Sequence, residues 1–220
     1  MTGRLELICA HIPPCKVFAD IGCDHGYCTR YVLDQGLCER AYISDVSAAS
    51  LKKAETLMAK EIKEGKCIAV CADGLEGLSE DADCILCAGL GGEEMVHIFS
   101  GRALPEHFIL QPMKNTEKVR RFLLAQGAKI TKDITFSKDG KFYDLLVGTG
   151  SGGDEYSEHE YRYGRDNLKS PGRAFLAKIE KEIWIVREAL RSVRAGQQRE
   201  ELLDRLGELE GIADAIEECL

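Results

Sequence analysis

Three aspartates in this chain each close a short apolar run: Asp20 in VFADIG, Asp45 in AYISDV and Asp73 in CIAVCADG. In an open α/β sheet the ligand lies at the carboxyl ends of the strands, so carboxylates at successive strand ends face one bound molecule. Asp20 is placed to accept from an ammonium group, Asp45 from both hydroxyls of a ribose, and Asp73 from an adenine amino group. Gly22, in the turn Asp20-Ile21-Gly22-Cys23-Asp24-His25-Gly26, lets backbone donors approach a carboxylate, and Gly26 opens the helix that follows. The turn is not the GxGxxG of pyrophosphate-binding folds. An ammonium, a carboxylate, a ribose and an adenine together describe S-adenosyl-L-methionine. Asp24, His25, Val46, Gly74 and Gly89 complete the expected cofactor set. One aspartate alone reads equally as a helix cap. Three in succession is the specific signal.

The fourth apolar run, DCILCAGLGG, ends in Ala88-Gly89-Leu90-Gly91-Gly92. Enzymes that methylate exocyclic amines often carry an Asn/Asp-Pro-Pro-aromatic motif at this place. Glycines instead let backbone groups come close to a flat substrate, although they also suit a simple turn before a helix over Glu93 to Phe99. Asp24, Tyr27 and Gly91 are the expected catalytic residues. Asp24 is positioned between cofactor and substrate, and Tyr27 can stack on a base taken out of its helical surroundings. His25 reads as either functional or structural. Gln111 and Pro112, at the next strand end, are expected to border the pocket. Cys84 and Cys87 have CxxC spacing, but no second CxxC completes a four-ligand zinc site, so no metal is expected.

Elements that could position these residues are legible in the pattern. Apolar, β-branched runs, the last of them HFILQPM, alternate with helical segments such as SAASLKKAETLMAKEIKEG and NTEKVRRFLLAQG, which indicates βαβ units and a parallel sheet. After Gly127, two extended runs flank Lys138-Asp139-Gly140, a hairpin signal. A parallel sheet ending in an antiparallel hairpin is the class I methyltransferase arrangement, an α/β Rossmann-like fold. Ser151 to Ser157 reads as a loop. Beyond it, Phe175, Leu176, Ile179, Ile183, Val186, Leu190 and Val193 recur at helical spacing, as do Leu202, Leu206, Leu209, Ile212, Ala213 and Ile216. With a connection at Ala195 to Gln198, they form a C-terminal helical hairpin of coiled-coil character. The expected division is 1–153 for the Rossmann-like domain and 154–220 for the helical one. Trp184 at this spacing reads as packing rather than as a stacking platform.

Composition bounds the rest. No apolar run approaches the roughly 20 residues of a membrane span, and charges interrupt the start MTGRLELICAHIPP, so a cytoplasmic protein is expected. The ten cysteines fall mostly in apolar runs and read as reduced core residues. The net charge of −8 is unevenly spread. Arg102 to Lys141 carries nine basic residues against four acidic, and Arg162 to Arg199 ten against four. Those stretches are either solvated helix faces or a local basic face that steers a polyanion.

On ADIGCDHGY, ISDV, ADGLE, AGLGG, ILQP and DGKFYDLLV, with an N-terminal helix at GRLELICAHIP, the sequence resembles the bacterial tRNA (adenine-22, N1)-methyltransferases. The resemblance covers nearly the whole chain. It departs at Cys23, where the family has a small residue such as serine, at Gly26 (alanine), at Cys28-Thr29 (Leu-Pro) and at Leu90 (methionine). It implies methyl transfer from S-adenosylmethionine to a neutral adenine N1, whose free lone pair needs no strong general base. The implied partner is tRNA, held in part by the C-terminal coiled coil. Monomer and weak homodimer both stay open. Two alternatives remain: a methyltransferase for a protein or small molecule, and a module that binds cofactor and tRNA without turnover. A nicotinamide-dependent oxidoreductase is disfavoured by the missing GxGxxG and by the terminal hairpin.

Overall fold

The computed structural model describes residues 3–78 and 82–219. Seven strands form one sheet in the order β3-β2-β1-β4-β5-β7-β6. β1 (Cys15–Ile21), β2 (Cys38–Ser44), β3 (Cys67–Val70), β4 (Cys84–Ala88) and β5 (His107–Gln111) are parallel. β6 (Lys129–Lys138) and β7 (Lys141–Thr149) form the terminal hairpin, with β7 antiparallel to β5. Its two-residue turn holds Asp139 at φ 50° and Gly140 at φ 71°, the left-handed pair that a tight hairpin requires.

Alternation along the central strands divides the core into two layers, because successive side chains of a strand point to opposite faces. Ala19, Ile21, Ile85, Cys87, Phe108 and Leu110 face one side, with α5 (Gly92–Phe99) and α6 (Thr116–Ala125) supplying Met95, Phe99, Val119 and Leu123. Phe18, Cys84, Leu86 and Ile109 face the other, against Ile8 and Cys9 of α1 (Gly3–Cys9) and Cys28 and Val32 of α2 (Tyr27–Asp34). Cys84 and Cys87 therefore lie in different layers, which accounts for the CxxC spacing as core packing. α3 (Ala48–Leu57) and α4 (Ala59–Lys63) connect β2 to β3. The switch point lies between β1 and β4, where the strand order reverses.

α7 (Glu158–Tyr163) and α8 (Arg165–Lys169) lead into α9 (Arg173–Ser192) and α10 (Gln197–Glu217), which pack antiparallel through Phe175, Ile179, Ile183, Leu209, Ala213 and Ile216. The connection spans 193–196, two residues earlier than expected. Gly196, at φ 145°, begins the second helix, and the Arg199 guanidinium donates to the carbonyls of Leu190 and Val193 at the end of the first. Trp184 stays 62% exposed instead of packing. Its neighbour Ile183 occupies the inward position, and one step along a helix turns the next side chain by about 100°.

Polar groups fix this tail to the hairpin. Arg120, fully buried on α6, makes a two-pronged pair with Asp133 of β6 and donates to the carbonyls of Tyr161 and Arg162. Asp144 of β7 accepts from Thr116, Thr135 and Lys178, the last from α9. Asn167 closes the network by accepting from the Thr135 amide.

Candidate active site

The turn after β1 is held from β2. Gly22 and Cys23 donate their amides to the Ser44 carbonyl at 2.8 and 3.1 Å, and Gly22 stands at φ 70°, where any side chain is strained. A Cβ added there would also meet Leu90 at 3.0 Å. Asp24 follows at φ 45°, an unusual conformation for a residue with a side chain. Asp45 supports it: one carboxylate oxygen accepts the Asp24 amide at 3.1 Å, the other the Ser47 amide at 2.8 Å. On the adjacent loop, the Ser44 hydroxyl donates to the Gly74 carbonyl at 3.1 Å.

These loops wall a cavity of about 320 Å³ at the carboxyl ends of the strands, within the range of small-molecule sites. Of the expected cofactor residues, Gly22, Asp24, Asp45, Val46, Asp73, Gly74 and Gly89 line it. Asp20, His25 and Tyr27 instead line a smaller cavity of about 80 Å³, which shares Gly22 and Asp24 with the larger one. Gly91 lines neither; it caps α5, and a Cβ there would stand 3.5 Å from Lys114. Residues that the sequence reading missed also line the main cavity: Arg4, Ser44, Glu94 and Ile98. Glu94 was hidden because its spacing from Gly91 is that of a helix cap, which it also provides. No spacing rule connects Arg4 of α1 to a turn 18 residues later. The donor set suits S-adenosylmethionine: carboxylates where ammonium, ribose and adenine are expected, and glycine backbone at the points of closest approach.

His25 has structural partners. Its Nδ1 lies 2.7 Å from an Asp24 carboxylate oxygen, and its ring stacks on Tyr27 at 5.4 Å, nearly parallel. The Asp24 carboxyl is held below its ordinary range: burial is the largest single influence and pushes it up, but His25, Lys53 and Ser50 together outweigh it. Tyr27 and Val46, 43% and 65% exposed, stand at the rim.

Asp20 is only 5% exposed and accepts the Thr29 hydroxyl at 2.8 Å. Burial raises its pKa to about 6, against the lowering effect of Thr29. Keeping it ionised at neutral pH costs about 3 kcal/mol. A folded-state value above the unfolded one means that the group's stabilising contribution is complete below about pH 4 and lost as pH rises through 6. Asp20→Asn is therefore expected to unfold at a higher denaturant concentration than the parent at pH 7.5, by about 1–3 kcal/mol, with the gap closing below about pH 4. An equal gap at both pH values would contradict the assignment.

Beside the main cavity, a cleft of about 680 Å³ runs from Pro112 and Met113 to the tail, lined by Lys114, Lys118, Arg121, Arg162 and Lys178, by the acidic Glu117 and Asp144, and by Phe142. Pro112 thus borders the cleft, while Gln111 is fully buried beneath the site. Lys118 pairs with Glu93, Arg121 with Glu117 and Glu158, and Arg162 with Glu208.

Residues 1–146 match a family described as "Methyltransferase domain". Over its whole length the chain is 24% identical to the tRNA (adenine(22)-N(1))-methyltransferase of Bacillus subtilis strain 168, covering 97% of that protein. A Mycoplasma pneumoniae relative is 34% identical over 133 residues, 60% of this chain. The chain spans 62% of that relative's length. Among solved structures, M. capricolum TrmK in complex with S-adenosyl-homocysteine superposes with a TM-score of 0.89 at 20% identity, over 98% of this chain and 99% of that one.

Proposed function

The chain belongs to the methyltransferase-domain family, and from that premise we propose that it transfers the methyl group of S-adenosylmethionine to N1 of adenine 22 in tRNA. The observation that carries this reading is the full-length similarity to an enzyme named for that reaction, joined to a cofactor cavity that adjoins a cleft lined with five basic side chains. The Gly89 to Gly92 turn stands between the two, with Gly89 on the cavity and Gly91 against Lys114 of the cleft.

When bound, the cofactor supplies an electrophilic methyl on a sulfonium. The protein's work is orientation and charge, since a neutral adenine N1 has no proton to remove. Asp45 and Asp73 hold the ribose and adenine, and the Gly22 turn supplies backbone donors. Asp24 and Tyr27, with the Gly89–Gly92 backbone, hold the target adenine, and the carboxylate of Asp24 favours the cationic ring that methylation creates. Lys114 attracts a phosphate that flanks that base, while Lys118, Arg121, Arg162 and Lys178 of the same cleft are paired with carboxylates.

Mapping the methylated nucleotide in tRNA incubated with the protein and cofactor tests the substrate; methyl incorporation elsewhere, or into protein or metabolites only, would replace this reading. Asp24→Ala is expected to lower turnover on tRNA by about 100-fold. Full turnover with unchanged cofactor affinity would remove Asp24 from the site.

A further inference from the structure

Trp184 stands on α9 with its ring in solvent, and its neighbour Ile185 is 49% exposed, while Phe175, Ile179 and Ile183 fill the inner face of the helix. An indole left in water forgoes the burial that a ring of its size usually gains, so its place relative to the cleft is informative. α9 runs along β7 toward the hairpin turn. Its Lys178 meets Asp144, and Lys181, one helical turn on, lies over the Phe142 ring at 5.9 Å from the centroid. Phe142 and Lys178 both line the cleft. Trp184 and Ile185 follow Lys181 by three and four residues, the spacing of neighbours on one helix face. The cleft thus continues past Phe142 onto the Lys181 stem and the Trp184 ring.

Charge alone does little along this track. Lys118, Arg121, Arg162 and Lys178 are held by carboxylates, and further along the tail Arg187 pairs with Glu210 and Arg191 with Glu188. Lys181 has no carboxylate partner among the described residues. What the tail offers a polyanion here is a flat apolar surface beside one cation. A nucleobase suits that surface, because every base has a π-face, and the neighbouring ammonium attracts its phosphate. In a duplex those faces are covered by adjacent bases, so only an unpaired nucleotide reaches the ring. A protein partner fits less well, since stable protein interfaces bury roughly 1,200–2,000 Å² and two exposed side chains are a small part of that.

We infer that Trp184, flanked by Ile185 and Lys181, stacks on an unpaired nucleobase of the RNA that the cleft receives, so that the tail selects a loop over a duplex. The inference rests on the tRNA reading of the cleft. The two basic stretches suggest a hold by charge; with most of those cations already paired, stacking is the contact left to α9.

Trp184 is the single tryptophan of the chain, so its fluorescence reports this surface directly. On the full chain, unmodified tRNA is expected to quench the emission and shield the ring from acrylamide, whereas a fully paired RNA duplex leaves it accessible. In filter binding, Trp184→Ala is expected to weaken tRNA by about 10-fold, with Trp184→Phe, which keeps an aromatic face, within about threefold of the parent. The loss should be the same at low and high salt, because stacking releases no counterions. Affinity for S-adenosylhomocysteine should be that of the parent, which shows the variants folded. Alanine binding within about twofold of the parent, a loss that vanishes at high salt, or equal shielding by the duplex would each overturn the inference. Shielding that grows with protein concentration in the absence of RNA, with a doubled mass in sedimentation, would assign the surface to a second copy of the chain and overturn it too. Should the parent not bind tRNA at all, the tRNA reading itself fails and carries this one with it, a result distinguishable from failure at Trp184 alone.

Discussion

Asp45→Ala is expected to raise the dissociation constant for S-adenosylhomocysteine by about 100-fold or more, since each hydrogen bond to a charged group is worth about 1.5–3 kcal/mol and the proposed binding mode sets two ribose hydroxyls on this carboxylate. The residue has a second task. Its carboxylate accepts the amides of Asp24 and Ser47, so it also holds Asp24 in its left-handed conformation. Removing it should therefore loosen the β1 turn as well as the ribose site. Asp45→Asn keeps one acceptor and is expected to lose about 10-fold. Calorimetry reads both. An alanine variant that binds within about fivefold of the parent would mean that the ribose is held elsewhere.

Arg120→Met should be the most damaging change to the fold itself. Arg120 and Asp133 are 1% and 0% exposed, and the guanidinium also satisfies two carbonyls of the tail. Removing one partner of a buried pair leaves an uncompensated charge and costs about 3–5 kcal/mol. Burial already pushes the Asp133 carboxyl above its ordinary range, with Arg120 opposing it. Losing Arg120 raises it further, so the deficit should shrink as pH falls and Asp133 becomes neutral. The double variant Arg120→Met, Asp133→Leu, which removes both charges, should recover much of the loss. Chemical unfolding at several pH values checks this; a loss below about 1 kcal/mol, or one that does not change with pH, would show that the pair does not anchor the tail. The same network explains why the tail is oriented at all: Lys178 reaches Asp144 from α9, and Asn167 bonds to the backbone of β6.

The sheet with its closing hairpin, the helical pair and most of the lining of the main cavity are legible in the order of the amino acids. Those features are local. Alternation, helical spacing, an Asp-Gly turn and aspartates at strand ends are each written within a few residues, and the parallel topology then brings the strand ends together. Gly22, Asp45, Asp73 and Gly89, each at or just after a strand end, therefore meet around one cavity. Folding in three dimensions set the content of the gaps between elements. It divided the expected site, setting Asp20, His25 and Tyr27 around the smaller cavity and Gly91 toward the cleft. It brought Arg4 to Gln111, 107 residues away, and turned Trp184 outward by the rotation of one helical step. It also showed that many basic residues of the two positive stretches already have acidic partners, Arg120 deep in the core and Lys118, Arg121, Arg162 and Lys178 around the cleft. Charge counts along a chain cannot register such pairing, because a counter-ion is chosen by distance in space and not by separation in sequence.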